Sequence, residues 1–282
     1  METSSAQAQG GRPSAEADAA SAGAAGGPLI AIRGLSKVYT TAGGDEVLAL
    51  EGIDLDIRPG EFLTVAGPSG CGKSTLLKIL AGLLRPTSGS VLLRGTPVTG
   101  PRREIGVVFQ SPVLLPWRTV LQNTLLPAQV RRAEMGAAEE RARELLRMVG
   151  LAGFENAYPR ELSGGMEQRT AITRALLTDP EILLMDEPFG ALDAMTREAM
   201  NLELRRIWRE SGKTVFFITH SIPEAVFLAD RVLILSPRPG RVVKILEVDL
   251  PSDRDLDLMG TDRFGAHTRQ LRALFGTKGG IG

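Results

Sequence analysis

The sequence predicts an α/β protein built on a largely parallel sheet, and three observations lead there. Short apolar segments of β type alternate with helical ones from Leu29 to Val248. A glycine-rich loop, Gly67-Pro68-Ser69-Gly70-Cys71-Gly72-Lys73-Ser74-Thr75, separates an apolar strand from a helix start. A fully apolar run, Ile182 to Met185, ends on two carboxylates, Asp186 and Glu187.

Taken in order, Leu29 to Arg33, Val47 to Ile57 and Glu61 to Ala66 read as strands, with Pro59-Gly60 turning the chain between the last two. Ser74 to Ala81 reads as a helix, Ser90 to Arg94 and Ile105 to Phe109 as strands, and Ala137 to Val149 as an amphipathic helix. A helix over Met166 to Leu177 precedes the strand Ile182 to Met185; Ala194 to Glu210 is helical, Thr214 to Thr219 a strand, and a short helix starts at Pro223. Strands Val232 to Leu235 and Val242 to Val248 close the pattern, and Asp262 to Phe275 reads as one more helix. Between Phe109 and Ile182 the chain is mostly helical and opens with Pro112 and Pro116, so a helical subdomain is expected there, inserted at about residues 111–180. Residues 29–250 would form the main domain and 251–282 a C-terminal extension frayed from Thr277 to Gly282. The first 28 residues, rich in Ala, Gly and Ser, are expected to be a disordered arm without the basic start and apolar stretch of a secretion signal.

Composition excludes several classes. With 33 basic and 33 acidic residues the chain lacks the sustained positive field of a nucleic-acid binder. One cysteine, Cys71, excludes a disulfide-stapled scaffold. No run approaches the roughly 18 apolar residues of a membrane-spanning helix.

The loop from Gly67 to Thr75 matches the phosphate-binding P-loop in its strand–loop–helix context. Its glycines let successive N–H groups face phosphate oxygens, the helix start adds a positive dipole end, Lys73 supplies charge for the β and γ phosphates, and Ser74 offers a hydroxyl to Mg²⁺. Cys71 is expected only to fill space. Asp186 is suited to hold Mg²⁺ and Glu187 to polarise the water that attacks the γ phosphate. The fold expected is therefore a P-loop nucleotide hydrolase core with an N-terminal antiparallel β region and an inserted helical subdomain. These features alone also describe kinases, GTPases and helicases. Leu162-Ser163-Gly164-Gly165-Met166-Glu167-Gln168-Arg169 narrows the choice, because it places a second glycine-bearing helix start far from the first.

On these residues the chain resembles the ATP-binding-cassette ATPases, from Leu29 to about Val248. The resemblance identifies Leu162 to Arg169 with the family's signature segment, with Met166 where many members carry Gln, and Gln110 with the glutamine loop. It likewise identifies Ala191-Leu192-Asp193 with the D-loop, His220 with the switch histidine and Tyr39 with the ring that stacks on adenine. It implies catalytic roles for Glu187, His220 and Gln110, with Gln110 also touching Mg²⁺. It further implies ATP sandwiched between two copies head to tail, the P-loop of one facing Ser163, Gly164 and Gly165 of the other, with Asp193 on the seam.

Leu114-Leu115-Pro116-Trp117 with Thr119, Val120 and Asn123, and Ser236-Pro237-Arg238-Pro239-Gly240-Arg241-Val242, are similar to importers of nitrate, sulfonates, taurine and related compounds. That resemblance implies transmembrane permease subunits as partners, a substrate-binding protein acting indirectly, no nucleic acid, and a place on the cytoplasmic face of the membrane. The region around Leu115 and Trp117 would face the permease. A soluble cassette ATPase of DNA repair or translation is the competing class; one cassette, one cysteine and no sustained heptads argue against it.

Overall fold

The computed structural model describes Met1 and residues 27–276. Apart from Met1, Gly27 and Pro28, the expected disordered arm lies outside the described residues, as does the expected frayed end, Thr277 to Gly282. The chain opens with β1 (Ile30–Thr40), β2 (Glu46–Ile57) and β3 (Phe62–Ala66), then α1 (Lys73–Leu80), β4 (Ser88–Leu93), β5 (Thr96–Pro97) and β6 (Ile105–Val108). Helices α2 (Val120–Thr124), α3 (Leu126–Val130), α4 (Met135–Met148) and α5 (Gly164–Leu176) lead to β7 (Ile182–Asp186). After it come α6 (Ala194–Ser211), β8 (Thr214–Ile218), α7 (Ile222–Leu228), β9 (Arg231–Leu235), β10 (Val242–Glu247) and α8 (Asp262–Gly276).

The larger sheet runs β10-β9-β3-β8-β7-β6 and is parallel except for its β10 edge, which pairs antiparallel with β9. Its central strands are continuously apolar because both faces are covered. In β3, Phe62 and Ala66 enter one core while Leu63 and Val65 enter the other; in β8, Val215 and Phe217 divide from Phe216 and Ile218 in the same way. One core holds α5, α6, α7 and α8; the other holds α1 and a second, antiparallel sheet ordered β2-β1-β4-β5.

The first strand runs to Thr40, well past the expected end at Arg33. Its register with β2 shifts between Ile32 and Leu35 and again on either side of Lys37, and Gly34 and Gly52 sit there at φ 54° and 58°. Such bulges break the two-residue alternation while pairing continues, so the pattern stops before the strand does. The other expected elements match within about two residues, the usual uncertainty at an element end. Helix α2 was not separable by periodicity, although Thr119 and Gln122 cap it reciprocally: Thr119 Oγ1 accepts from Gln122 N and Gln122 Oε1 from Thr119 N.

The segment after β10 folds back onto the core through Phe264 and Leu271, both buried. Arg254, 6% exposed, donates to the carbonyls of Val226, Phe227 and Ala229 at the end of α7, and to Pro251 O. Burial, reinforced by nearby Arg205, pushes its pKa down to about 10, and the carbonyls at a helix C-terminus offset the cost of holding its charge. Arg254→Ala leaves those carbonyls without their cation and is expected to destabilise the protein by about 2 kcal/mol, measured as a lower denaturant midpoint.

Candidate functional site

The C-terminal ends of β3, β7, β8 and β9 meet on one edge of the parallel sheet, where open α/β folds place their ligands. The loop after β3 is the P-loop. Gly70 and Gly72 take left-handed conformations, at φ 74° and 100°. Gly72 has no room for a side chain, since a Cβ would lie 2.6 Å from Leu50 Cδ2. Cys71 is buried beneath the loop, its Sγ 2.7 Å from where a Cβ on Gly67 would stand, which fits the expected space-filling part. Burial raises its thiol pKa.

Lys73, 7% exposed, donates to Gly67 O at 2.8 Å and Pro68 O at 3.1 Å, so its ammonium lies inside the curl of the loop. Ser74 Oγ donates to Asp186 Oδ1 at 3.0 Å, joining the start of α1 to the end of β7. Burial raises the Asp186 pKa, the hydrogen bond from Ser74 opposes that shift, and the charge of Glu187 adds to it. An alcohol and a half-buried carboxylate are the hard oxygen donors that Mg²⁺ takes, and a cation there would offset the cost of the buried charge. No group of three or more His, Cys, Asp or Glu among the described residues is set to hold a metal. Two protein oxygens completed by phosphate and water suit Mg²⁺, which seldom uses an all-protein cage.

Because its pKa is raised, Asp186 picks up a proton at a higher pH than an ordinary Asp, and a cation held by its carboxylate would be released as pH falls. The Mg²⁺ dependence of ATP affinity is therefore expected to fade on the acid side, and to persist to lower pH in Glu187→Gln, which removes the neighbouring charge. Titrations of nucleotide binding with and without Mg²⁺ across pH read this directly.

Glu187 sits at φ 45°, a region that non-glycine residues seldom occupy, and its backbone N–H donates to Ile218 O at 3.0 Å. This bend carries its carboxylate to His220, whose Nδ1 lies 3.3 Å from Glu187 Oε2. Beneath His220, Thr219 Oγ1 donates to the buried Glu224, whose pKa burial raises. Tyr39, on β1, reaches the site from the other sheet. Its ring is partly exposed, and its hydroxyl lies 3.2 Å from Thr75 Oγ1.

A cleft of about 270 Å³ is lined by Tyr39, Ser69, Gly70, Gly72, Lys73, Ser74, Thr75 and Glu187 among the sequence-expected residues. Val47, Ala49 and Arg238 also line it and were not singled out as site residues. The sequence carries no local signal for either: Val47 joins the site through its register opposite Tyr39, and Arg238 through a loop that folding brings to Gly70.

Gln110 lies just beyond β6, its Nε2 3.4 Å from where a Cβ on Gly190 would stand, and it does not line the cleft. Ser163, Gly164 and Gly165 also stand apart from the cleft, at the start of α5, where Ser163 Oγ accepts from Met166 N. Asp193 caps α6, holding Thr196 through N–H and hydroxyl at 3.0 and 2.6 Å, and those bonds lower its pKa. Within one chain, then, the two glycine-bearing helix starts do not share a cleft.

In the helical region, Asn123 is fully buried and bonds Leu115 through both its N–H and its carbonyl, fixing the Leu114 to Trp117 corner. Arg174 holds the carbonyls of Pro112 and Val113. Leu115 is half-buried, whereas Trp117 is 70% exposed and Val113 58%, so the tryptophan does not plug its own subdomain. No helix among the described residues is long and apolar enough to cross a membrane.

Comparison with known proteins adds findings of three kinds. A family model described as ABC transporter matches residues 50–190. The chain is 53% identical over 224 residues to an ABC transporter ATP-binding protein of Methanocaldococcus jannaschii, covering 79% of this chain and 84% of that one. It is 52% identical over 209 residues to the taurine import ATP-binding protein of Burkholderia thailandensis, covering 74% and 80%. Among solved structures, the dimeric cassette of a bacterial ABC transporter superposes with a TM-score of 0.69 at 36% identity, covering 79% of this chain and all of that one. The same cassette as a post-hydrolysis dimer bound to ADP and phosphate gives 0.68.

Proposed function

This chain belongs to the ATP-binding-cassette ATPases of transporters, and from that membership we propose that it energises an importer of a small anionic or zwitterionic compound such as taurine, a sulfonate or nitrate. It binds and hydrolyses ATP. The observation that carries the site reading is the convergence on one sheet edge of the P-loop, the Ser74–Asp186 pair and the Glu187–His220 pair.

In the proposed mechanism Tyr39 stacks on adenine and the P-loop N–H groups with Lys73 hold the phosphates. Ser74 and Asp186, with Gln110, would hold Mg²⁺, which when bound supplies charge neutralisation to the β and γ phosphates. Glu187 draws the proton from the attacking water, and His220, through its Nδ1 contact, keeps that carboxylate aimed. Ser163, Gly164 and Gly165 of a second copy close over the nucleotide head to tail. The separation of the two helix starts within one chain supports this arrangement, as do the dimeric cassettes it superposes on. Asp193 lies at that seam. ATP closes the dimer and hydrolysis releases it, a population shift driven by contacts made in one state only.

The proposed division places the cassette at 29–250, its helical subdomain at about 111–180 and a C-terminal extension at 251–282. Exposed Trp117 and Val113, on a corner braced by Asn123 and Arg174, are the proposed docking surface for permease subunits on the cytoplasmic face of the membrane. A substrate-binding protein would select cargo, and nucleic acid has no part. The taurine-import names of several relatives support the cargo class. The test is recovery of tagged Glu187→Gln from native membranes with ATP present. A stoichiometric multi-span permease is expected; recovery only with soluble repair or ribosomal proteins would overturn the importer reading and leave the ATPase intact.

A further inference from the structure

The six-residue loop from Ser236 to Arg241, between β9 and β10, is fastened to both walls of the cleft. Gly240 N donates to Ala49 O at 2.9 Å and Glu51 N to Gly240 O at 3.0 Å. Arg241 forks onto Glu51 Oε2 at 2.6 and 3.1 Å, and its N–H reaches Ser236 Oγ at 3.0 Å. Gly240 approaches the P-loop so closely that a Cβ there would stand 2.1 Å from Cys71 O, which no side chain survives without moving one loop or the other. The backbone of this hairpin is thus fixed relative to the phosphate cradle.

Arg238 projects from this fixed loop. It lines the cleft beside Ser69, Gly70 and Lys73, and its Nε donates to Gly70 O at 3.4 Å, a long bond. That is the one hydrogen bond of its guanidinium among the described residues, so most of its five donors are uncommitted. No carboxylate pairs with it within ion-pair distance among the described residues, in contrast to Arg241 three positions on, which is held by Glu51. The cleft itself has a charge imbalance that an extra cation would correct. Glu187 lines it and Asp186 bonds the lining Ser74, two carboxylates against the single ammonium of Lys73, and a triphosphate adds several negative charges more. An arginine is suited to this task because its planar fork takes two phosphate oxygens at once and it stays charged at any working pH.

We infer that Arg238 is a nucleotide-binding residue of this chain, its guanidinium donating to phosphate oxygens of ATP from beside Gly70 on the cleft wall. The inference rests on the nucleotide occupying this cleft.

The experiment is equilibrium displacement of a fluorescent nucleotide by ATP, ADP and adenosine from the full chain. It compares wild type, Arg238→Gln and Arg238→Lys at low and moderate salt. Arg238→Gln is expected to weaken ATP and ADP about ten-fold or more, to flatten the salt dependence, and to leave adenosine affinity and the nucleotide-free melting temperature close to wild type. Arg238→Lys is expected to recover part of the loss, since a point charge replaces the fork. Wild-type affinity in Arg238→Gln would overturn the inference. So would an equal loss for adenosine, which would move the contact to the nucleoside, or an equal loss in both variants with a lowered melting temperature, which would make Arg238 a brace for Gly70. If wild type itself gave no ATP displacement, the cleft assignment would fall first, a result distinct from normal wild-type binding with no effect of Arg238.

Discussion

Glu187→Gln is expected to hold ATP with near-normal affinity and to hydrolyse it at least about a hundred-fold more slowly, the scale of a positioned general base. The amide keeps the shape of the carboxylate and can still meet His220 Nδ1, now 3.3 Å from Oε2, so binding and folding are spared while the water loses its proton acceptor. Stalled before hydrolysis, the variant is expected to accumulate as an ATP-dependent dimer. Single-turnover kinetics with size-exclusion chromatography in ATP check both parts. A variant that turned over at the wild-type rate would remove Glu187 from the chemistry. On the proposed roles, in which His220 aims the Glu187 carboxylate, His220→Ala should slow turnover less than Glu187→Gln.

Lys73→Ala attacks the other end of the site and is expected to lower ATP affinity about a hundred-fold or more, from the loss of charge-assisted hydrogen bonds to phosphate. Part of the loss is structural. Lys73 Nζ also ties Gly67 O to Pro68 O, and without it the curl of the loop loses its internal cation. The two variants therefore separate cleanly: one keeps the ligand and loses rate, the other loses the ligand. Isothermal titration with ATP distinguishes them, and tight binding by Lys73→Ala would contradict the assignment.

Much of this site was legible because its parts are contiguous in sequence. The P-loop needs its glycines, lysine and serine within nine consecutive residues, and Asp186 and Glu187 are adjacent at the end of an apolar strand. The two-sided burial of β7 and β8 likewise announces itself in the apolar runs Ile182 to Met185 and Val215 to Ile218. What periodicity could not supply is spatial. The order β10-β9-β3-β8-β7-β6 depends on crossovers that leave no local trace, so nothing in the sequence places Arg238 beside Gly70 or the Tyr39 hydroxyl beside Thr75. The second half of β1 was hidden because bulges at Gly34 and Gly52 reset the alternation that marks a strand. Trp117 poses the opposite difficulty: its corner is visible in the sequence, but only the 70% exposure of the side chain in the folded protein tells that the ring faces outward.

The fastening of Arg254 to the end of α7 gives the tail a standing that its sequence conceals. A boundary at residue 250 follows the pattern of strands and helices, yet the guanidinium at 254 and the buried rings and aliphatics at Phe264 and Leu271 reach back across it. Heat absorption on melting should accordingly show one endotherm, with the tail and the α7 neighbourhood unfolding together, and a protease that nicks near Pro251 should release a less cooperative body rather than trim an ornament. Because α7 begins two residues after His220, residues 251–276 are mechanically in series with that histidine: whatever loosens them loosens the footing on which it stands.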